Sequence, residues 1–425
     1  FLDKKNSFKF GFIFFNLGIF FLASAPFISI IFIIISIFIT ITEINFDFQK
    51  NYINISFIIS TFLISINAFV NYFFNPYETS GLNTKLNFIG LVNWLPFFLC
   101  FYFIQPYLKS LNYRMLSSIL FLSGTIPIII TGLGQYFFGW DDQISALNGN
   151  IIWFLKPIND LSGLSGIFNN PNYAGSWLSM IWPLSLALLI KNKPFNIKKY
   201  FSFLFVIFIA LCMILTNSKD TLLSLLFPLP FFFKLTFFKI LILIALPSIS
   251  FILINNNFLI NIKELLALTN TINFFNLNST KILSFFPRID IWRVSIIAII
   301  NKPIFGWGAG SFPFIYNLYK YNFVNDKIQH SHNFFFELSI NYGLIPSLLI
   351  FSIFITILID SGKIIFKKNQ NIINRGWWFS ALIFFVNHMF DVTYYDIRIS
   401  MTFWIMLSGV YSMIKEYELT TNLKI

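Results

Sequence analysis

Charge is scarce in this sequence of 425 residues: Asp, Glu, Lys and Arg make up 11% of it, against about 25% in an ordinary soluble domain. With 57% apolar residues and a mean hydropathy of +0.74, a soluble fold is excluded and a polytopic membrane protein is implied. Cysteine is nearly absent. Cys100 and Cys212 both sit in apolar stretches without CxxC spacing, so neither a disulfide framework nor a thiolate metal site is indicated, and the redox compartment stays open. Histidine is equally rare: His330, His332 and His388 are the whole complement, and two of them form His330-Ser331-His332-Asn333 at the mouth of an apolar run. Aromatic residues are plentiful instead. Sixty phenylalanines beside abundant Ile, Asn and Lys fit an AT-rich coding bias better than a ligand-stacking surface.

Crossing the hydrocarbon core takes about 20 apolar residues per helix. Spans are expected near 8–24, 26–42, 53–74, 86–104, 115–134, 168–190, 200–215, 221–233, 240–255, 334–359, 376–390 and 397–414, giving an all-α bundle of about twelve helices within one integral membrane domain, 1–425. Lys4, Lys5 and Lys9 ahead of the first apolar run resemble a secretory signal, but further spans follow, so the first is read as a retained helix.

The net charge of +12 would point to nucleic acid in a soluble protein; here it reports topology instead, and no nucleic-acid partner is expected. A cytoplasmic N-terminus puts Lys4, Lys5, Lys9, Lys50, Lys109, Arg114, Lys191, Lys193, Lys198, Lys199, Lys234, Lys239, Lys363, Lys367, Lys368, Arg375, Lys415 and Lys424 inside. The short outer segments then hold only Lys85, Lys156, Lys219 and Arg398. Both termini come out cytoplasmic, and one long outer loop, 256–333, stands apart from the short connections. Its Asn-rich first part, Asn255 to Thr280, reads as a spacer. The stretch from Arg288 to Asn301 reads as an amphipathic helix on the outer interface.

Four polar groups face that outer side. Gly163-Leu164-Ser165-Gly166-Ile167-Phe168-Asn169-Asn170-Pro171-Asn172 enters an apolar helix, as an irregular turn offering neutral donors or as a plain entry with Asn caps. Thr216-Asn217-Ser218-Lys219-Asp220 brings an ammonium near membrane depth, where it snorkels, pairs with Asp220 or meets an anion. Arg288, Asp290 and Arg293 precede a glycine-rich stretch from Asn301 to Phe312. Guanidinium groups suit phosphate oxygens, the glycines permit close backbone approach, and a contact with lipid headgroups is the alternative. No strand precedes this stretch, which argues against a nucleotide-binding turn. Finally, His330 and His332 offer imidazoles that titrate near neutrality and can take a hydroxyl proton. Spaced i, i+2 without a carboxylate beside them in sequence, they make a poor zinc site. Beyond them His388, Asp391 and Asp396 bracket another outer turn, in which Asp391 can orient a histidine or bind a cation, its commoner roles being a cap or a solvated loop residue. Cations for an anionic group beside a histidine base suit a phosphate-bearing lipid and a hydroxyl acceptor.

Gly166-Ile167-Phe168-Asn169-Asn170-Pro171-Asn172-Tyr173-Ala174-Gly175, Arg288-Ile289-Asp290-Ile291-Trp292, Asn301 through Phe312 and His332 through Ile345 resemble, in order and spacing, the O-antigen ligase family. That family also includes O-antigen polymerases and bacterial protein O-oligosaccharyltransferases. The resemblance spans roughly 160–410. It implies a metal-independent, cofactor-free membrane glycosyltransferase of the GT-C type in the bacterial inner membrane. Such an enzyme moves a glycan from an undecaprenyl-diphosphate carrier to a hydroxyl of a lipid A core or another glycan at the periplasmic face. It further implies Arg288 as a diphosphate ligand, with Lys219 in place of the family's arginine, and His332 as the base, with His330 as the substitute for it; Arg293, Asn172, Asn333 and Asp391 are the supporting candidates on the same outer side. One departure stands out: the family has Ser-Arg where this chain has Ser218-Lys219, which keeps the charge but loses the bidentate fork. A polymerase, which uses a second carrier-linked repeat as acceptor, is the near alternative. A small-anion transporter, for bicarbonate for example, is the alternative from another class, although no internal repeat is evident. A non-catalytic envelope scaffold is a third.

Overall fold

The computed structural model describes residues 2–43, 52–74, 84–158, 163–193, 196–219, 287–320, 328–367 and 371–422, together with Thr221 and Phe232. The expected spans at 221–233 and 240–255, Asp220 and the Asn-rich stretch from Asn255 to Thr280 lie outside these residues, apart from those two positions.

The described residues are helical nearly throughout. In order run α1 (Leu2–Phe21), α2 (Pro26–Glu43), α3 (Tyr52–Phe73), α4 (Leu86–Leu91), α5 (Leu95–Phe103), α6 (Leu111–Phe138), α7 (Pro171–Lys191), α8 (Ile197–Leu215), α9 (Pro287–Asn301), α10 (Phe312–Tyr319), α11 (Phe334–Tyr342), α12 (Leu344–Lys367), α13 (Ile372–Asn387) and α14 (Ile397–Asn422). Among the described residues, seven helices are long and apolar enough to cross a membrane: Tyr52–Phe73, Leu86–Phe103, Leu111–Phe138, Pro171–Lys191, Ile197–Leu215, Leu344–Phe366 and Ile397–Leu419. Ser7–Phe21 and Pro26–Thr42 are shorter apolar helices. The all-α expectation holds among the described residues apart from one short antiparallel hairpin, β1 (Ile144–Ala146) and β2 (Ile151–Trp153), turned by Leu147, Asn148 and Gly149 at φ 51, 53 and 84°.

Asparagine starts many of these helices. Asn170, Asn196, Asn333 and Asn371 each accept a backbone N–H at the entry of α7, α8, α11 and α13, satisfying donors that the first helical turn leaves open. The plain-cap reading of Asn170 is therefore what the structure displays.

The expected span at 86–104 is present as Leu86–Phe103, with a turn at Val92–Trp94 between α4 and α5 and a proline in the first turn of α5. One expected continuous span is broken. The run at 334–359 is α11 and α12, with Gly343 between them at φ 87° and the Leu344 N–H donated to Pro303 O at 2.8 Å. A Cβ at position 343 would collide with the carbonyl of Ile304, so only glycine fits this corner.

Helices α7 and α14 are almost wholly buried and form the centre, with α13 against α7 and α6 alongside. Trp177 donates to Thr125 Oγ1 at 3.0 Å, and Trp377 donates to Ser118 Oγ at 2.9 Å, so the large indoles bring hydrogen bonds as well as area into the core. By contrast α3 and α8 expose rows of Phe and Ile, as lipid-facing helices do.

Polar contacts collect at the two ends of the helices. At one end buried Arg114 donates to Glu416 Oε2 at 2.5 Å, Leu108 O at 2.8 Å and Asn374 Oδ1 at 3.2 Å, joining α6, α13 and α14. At the other end the stretch from Asn301 to Ser311 is docked onto α3, α4 and α11. Asn71 donates to Phe305 O at 2.8 Å, Asn67 to Tyr342 O, and Ala309 N to Asn87 Oδ1 at 2.8 Å. The glycines of this stretch thus allow close approach of protein to protein: a Cβ at Gly308 (φ 97°) would strike Asn87.

Helix α9 occupies the expected place but is apolar on two sides rather than amphipathic. Ile291, Val294 and Ala298 bury against Trp307, Phe312 and Ile315, while Ile289, Ile296 and Ile300 are exposed. Its charges are internalised: Arg293 makes bonds of 2.9 and 2.7 Å to Asp290, which also accepts from Tyr316 at 3.1 Å.

Candidate functional site

Three chain segments meet around Asp391, in the turn between α13 and α14. Its Oδ1 accepts from His332 Nδ1 at 3.0 Å and from Val392 N at 2.8 Å, and lies 3.9 Å from His330 Nε2. Its Oδ2 accepts from Asn172 Nδ2, in the first turn of α7, at 2.9 Å. Burial by itself would raise the Asp391 pKa, but the hydrogen bond and charge of His332, the charge of His330 and the Val392 N–H outweigh it and hold the carboxyl down at about 2.

The hydrogen bonds fix the tautomers. An ionised carboxylate can only accept, so the proton of His332 sits on Nδ1 and Nε2 keeps its lone pair. His330 is the reverse: its Nδ1 accepts the His332 backbone N–H at 3.4 Å, which leaves the proton on Nε2. Burial pushes the His330 pKa below its ordinary value, helped by the charges of His332 and Arg288 and opposed by Glu337 and Asp391. Arg288 itself is half-buried in the first turn of α9. The side chains of His332 and His330 stay 26% and 20% exposed, so both rings are reachable from outside the protein.

The turn bearing the histidines is pinned on two sides. Phe334 N donates to His388 O at 2.7 Å and Asn333 Nδ2 to Met389 O at 3.0 Å, while Ser331 N donates to Glu337 Oε2 at 2.9 Å. His332 itself has φ 51°, a left-handed conformation that a residue with a side chain adopts at a cost of about 1–3 kcal/mol. His388 is a structural residue. Its ring is 1% exposed, bonds to Phe384 O at 2.8 Å and Thr393 Oγ1 at 3.0 Å, and stacks on Phe384.

The structure brings together His330, His332, Asn333, Asn172, Asp391 and, through its charge, Arg288. Arg293 is occupied with Asp290 and with Tyr319 O at 2.8 Å. Lys219 is exposed, just past the end of α8. There the turn from Gly163 is docked by Leu164 N onto Leu215 O at 2.9 Å, and among the described residues no hydrogen bond joins Lys219 to the histidines. Asp396 engages Arg398, whose guanidinium lies 3.9 Å over the Phe168 ring.

Two features were hard to see in sequence. The carboxylate companion that the histidine pair lacks locally is Asp391, 59 residues away. The second is Glu337, whose one visible signal was an acid inside an otherwise apolar run. Ligand atoms of His330, His332 and Asp391 lie within 4.8 Å of one another, close enough in space for a divalent cation. The arrangement suits proton transfer: a ring oriented by a carboxylate, a free nitrogen, and a guanidinium nearby for an anion.

Residues 203–351 match a family model described as O-antigen ligase. The match is narrower than the expected 160–410; it contains Lys219, Arg288, Arg293, His330, His332 and Asn333 and leaves out Asn172 and Asp391. No curated protein matches the chain.

Proposed function

We propose that this multi-pass helical chain, whose residues 203–351 match a family model described as O-antigen ligase, transfers a glycan from an undecaprenyl-diphosphate carrier to an acceptor hydroxyl. In this reading His332 Nε2 takes the proton of the acceptor hydroxyl as its oxygen bonds to the anomeric carbon of the glycan. The bond from that carbon to the diphosphate breaks, and the carrier diphosphate leaves with the electron pair. Asp391 keeps the ring turned and stabilises the imidazolium that forms. Arg288, with Lys219, holds the diphosphate by charge. Asn172 and Asn333 keep Asp391 and the histidine turn in place, and the chemistry needs no metal. The bundle is of the GT-C type, its termini are cytoplasmic and the site faces the periplasm.

The observation that carries the proposal is the 3.0 Å bond from His332 Nδ1 to Asp391 with Arg288 acting on the adjacent His330. It is tested with His332→Ala and Arg288→Ala in proteoliposomes supplied with lipid-linked glycan. Loss of a general base costs about 10²–10⁴-fold in rate, and loss of a cation aimed at the departing charge about 10²–10³-fold. Both variants are expected to insert normally and lose transfer to that extent; full activity in either overturns the proposal. The acceptor is read from a deletion strain. Polymer accumulating on its carrier marks a ligase, and single repeats mark a polymerase.

A further inference from the structure

We infer that Glu337 is a positioning residue for the His332 base, acting through the amide of Ser331; this rests on the transferase reading above. Glu337 is 2% exposed and lies in the first turn of α11, after three phenylalanines. A carboxylate in such surroundings persists only when its oxygens are hydrogen-bonded. Its partners fall on both halves of the candidate site. Oε2 accepts from Ser331 N at 2.9 Å, between the two histidines. Oε1 accepts from Tyr395 Oη at 2.7 Å, in the same turn as Asp391, and from Asn341 Nδ2 at 3.4 Å. One carboxylate therefore ties the segment that supplies the base to the segment that supplies the group orienting it.

The left-handed backbone of His332 explains why such a tie matters. At φ 51° the residue is held against its own preference, and relaxing to an extended conformation would swing the imidazole away from Asp391. Asn333 and Phe334 hold the turn from its far side through Met389 O and His388 O. On the near side the backbone bond is the one from Ser331 to Glu337. An ordinary first-turn acid interacts with its own helix N-terminus, whereas these oxygens reach two residues beyond the Asn333 cap and across to another loop.

The experiment uses full-length protein in proteoliposomes with lipid-linked glycan and acceptor, comparing wild type, Glu337→Ala, Glu337→Gln and His332→Ala. Misplacing a reacting group by about 1 Å costs on the order of 100-fold. Glu337→Ala is accordingly expected to lower kcat by at least about tenfold, while leaving the KM for donor and acceptor close to wild type. Glutamine can still accept the Ser331 N–H, and the Tyr395 hydroxyl can turn to accept from its amide, so Glu337→Gln is expected to recover most of kcat. Wild-type kcat in Glu337→Ala with His332→Ala inactive overturns this inference alone. Equal losses in Ala and Gln variants, accompanied by a lowered melting temperature in both, mark a merely structural carboxylate and also overturn it. A fully active His332→Ala removes the base and overturns the parent reading with it.

Discussion

Asp391 is satisfied on every side, by His332, Val392 and Asn172, and that saturation explains both its low pKa and its value as an orienting group. Its carboxyl titrates at about 2 in the folded protein against an ordinary 3.8. A depressed carboxylate contributes stability above its unfolded value and surrenders it as pH falls through the folded one. The melting temperature of wild type is therefore expected to drop between about pH 4 and pH 2, withdrawing about 2 kcal/mol. Asp391→Asn lacks this component, so its melting temperature is expected to start lower at neutral pH and change less across the same window. It is also expected to lose transfer activity at pH 7, because a neutral partner stabilises the imidazolium poorly. A pH series of melting curves beside a transfer assay checks both. Sequence reading reached His332, Arg288 and the basic outer stretch because histidine and charge are rare here and stand out. It undervalued Asp391 and passed over Glu337 because their partners are 59 and 58 residues away, at His332 and Tyr395, a distance no local pattern bridges.

Helices were the most legible part of the chain, since an apolar run of about 20 residues has few other stable forms in a bilayer. Their interruptions were not. Hydropathy integrates over a window and cannot see the corner at Gly343, where one backbone angle and one carbonyl decide that α11 and α12 are separate helices. The corner sets the angle between α11, which follows the histidine turn, and α12. Gly343→Ala combines a left-handed strain of about 1–2 kcal/mol with a backbone collision. It is expected to lower the melting temperature and the yield of folded protein, measurable by thermal shift and size-exclusion chromatography. The glycines of 301–312 teach a related lesson: their freedom serves the docking of α9 and α10 onto α3 and α4, although the same spacing was equally open to ligand approach.

Across the molecule, apolar helix sides lie between two polar ends, one knotted around Arg114 and the other gathered around Asp391. In the proposed topology, read from the count of basic residues, the Asp391 end faces outside. The assignment has a direct check, because the native Cys100 and Cys212 are buried and silent. A cysteine placed at Asn148, exposed in the β-hairpin, is expected to react with an impermeant thiol reagent in intact spheroplasts. One at Lys193, exposed past α7, is expected to react only after permeabilisation. Reversed labelling would invert the molecule in its membrane.

Asn172 and Asp391 flank residues 203–351 on either side, so the stretch that matches the ligase family holds the imidazole without the two groups that aim it. A chimera exchanging that stretch alone would inherit the ring and forfeit its aim.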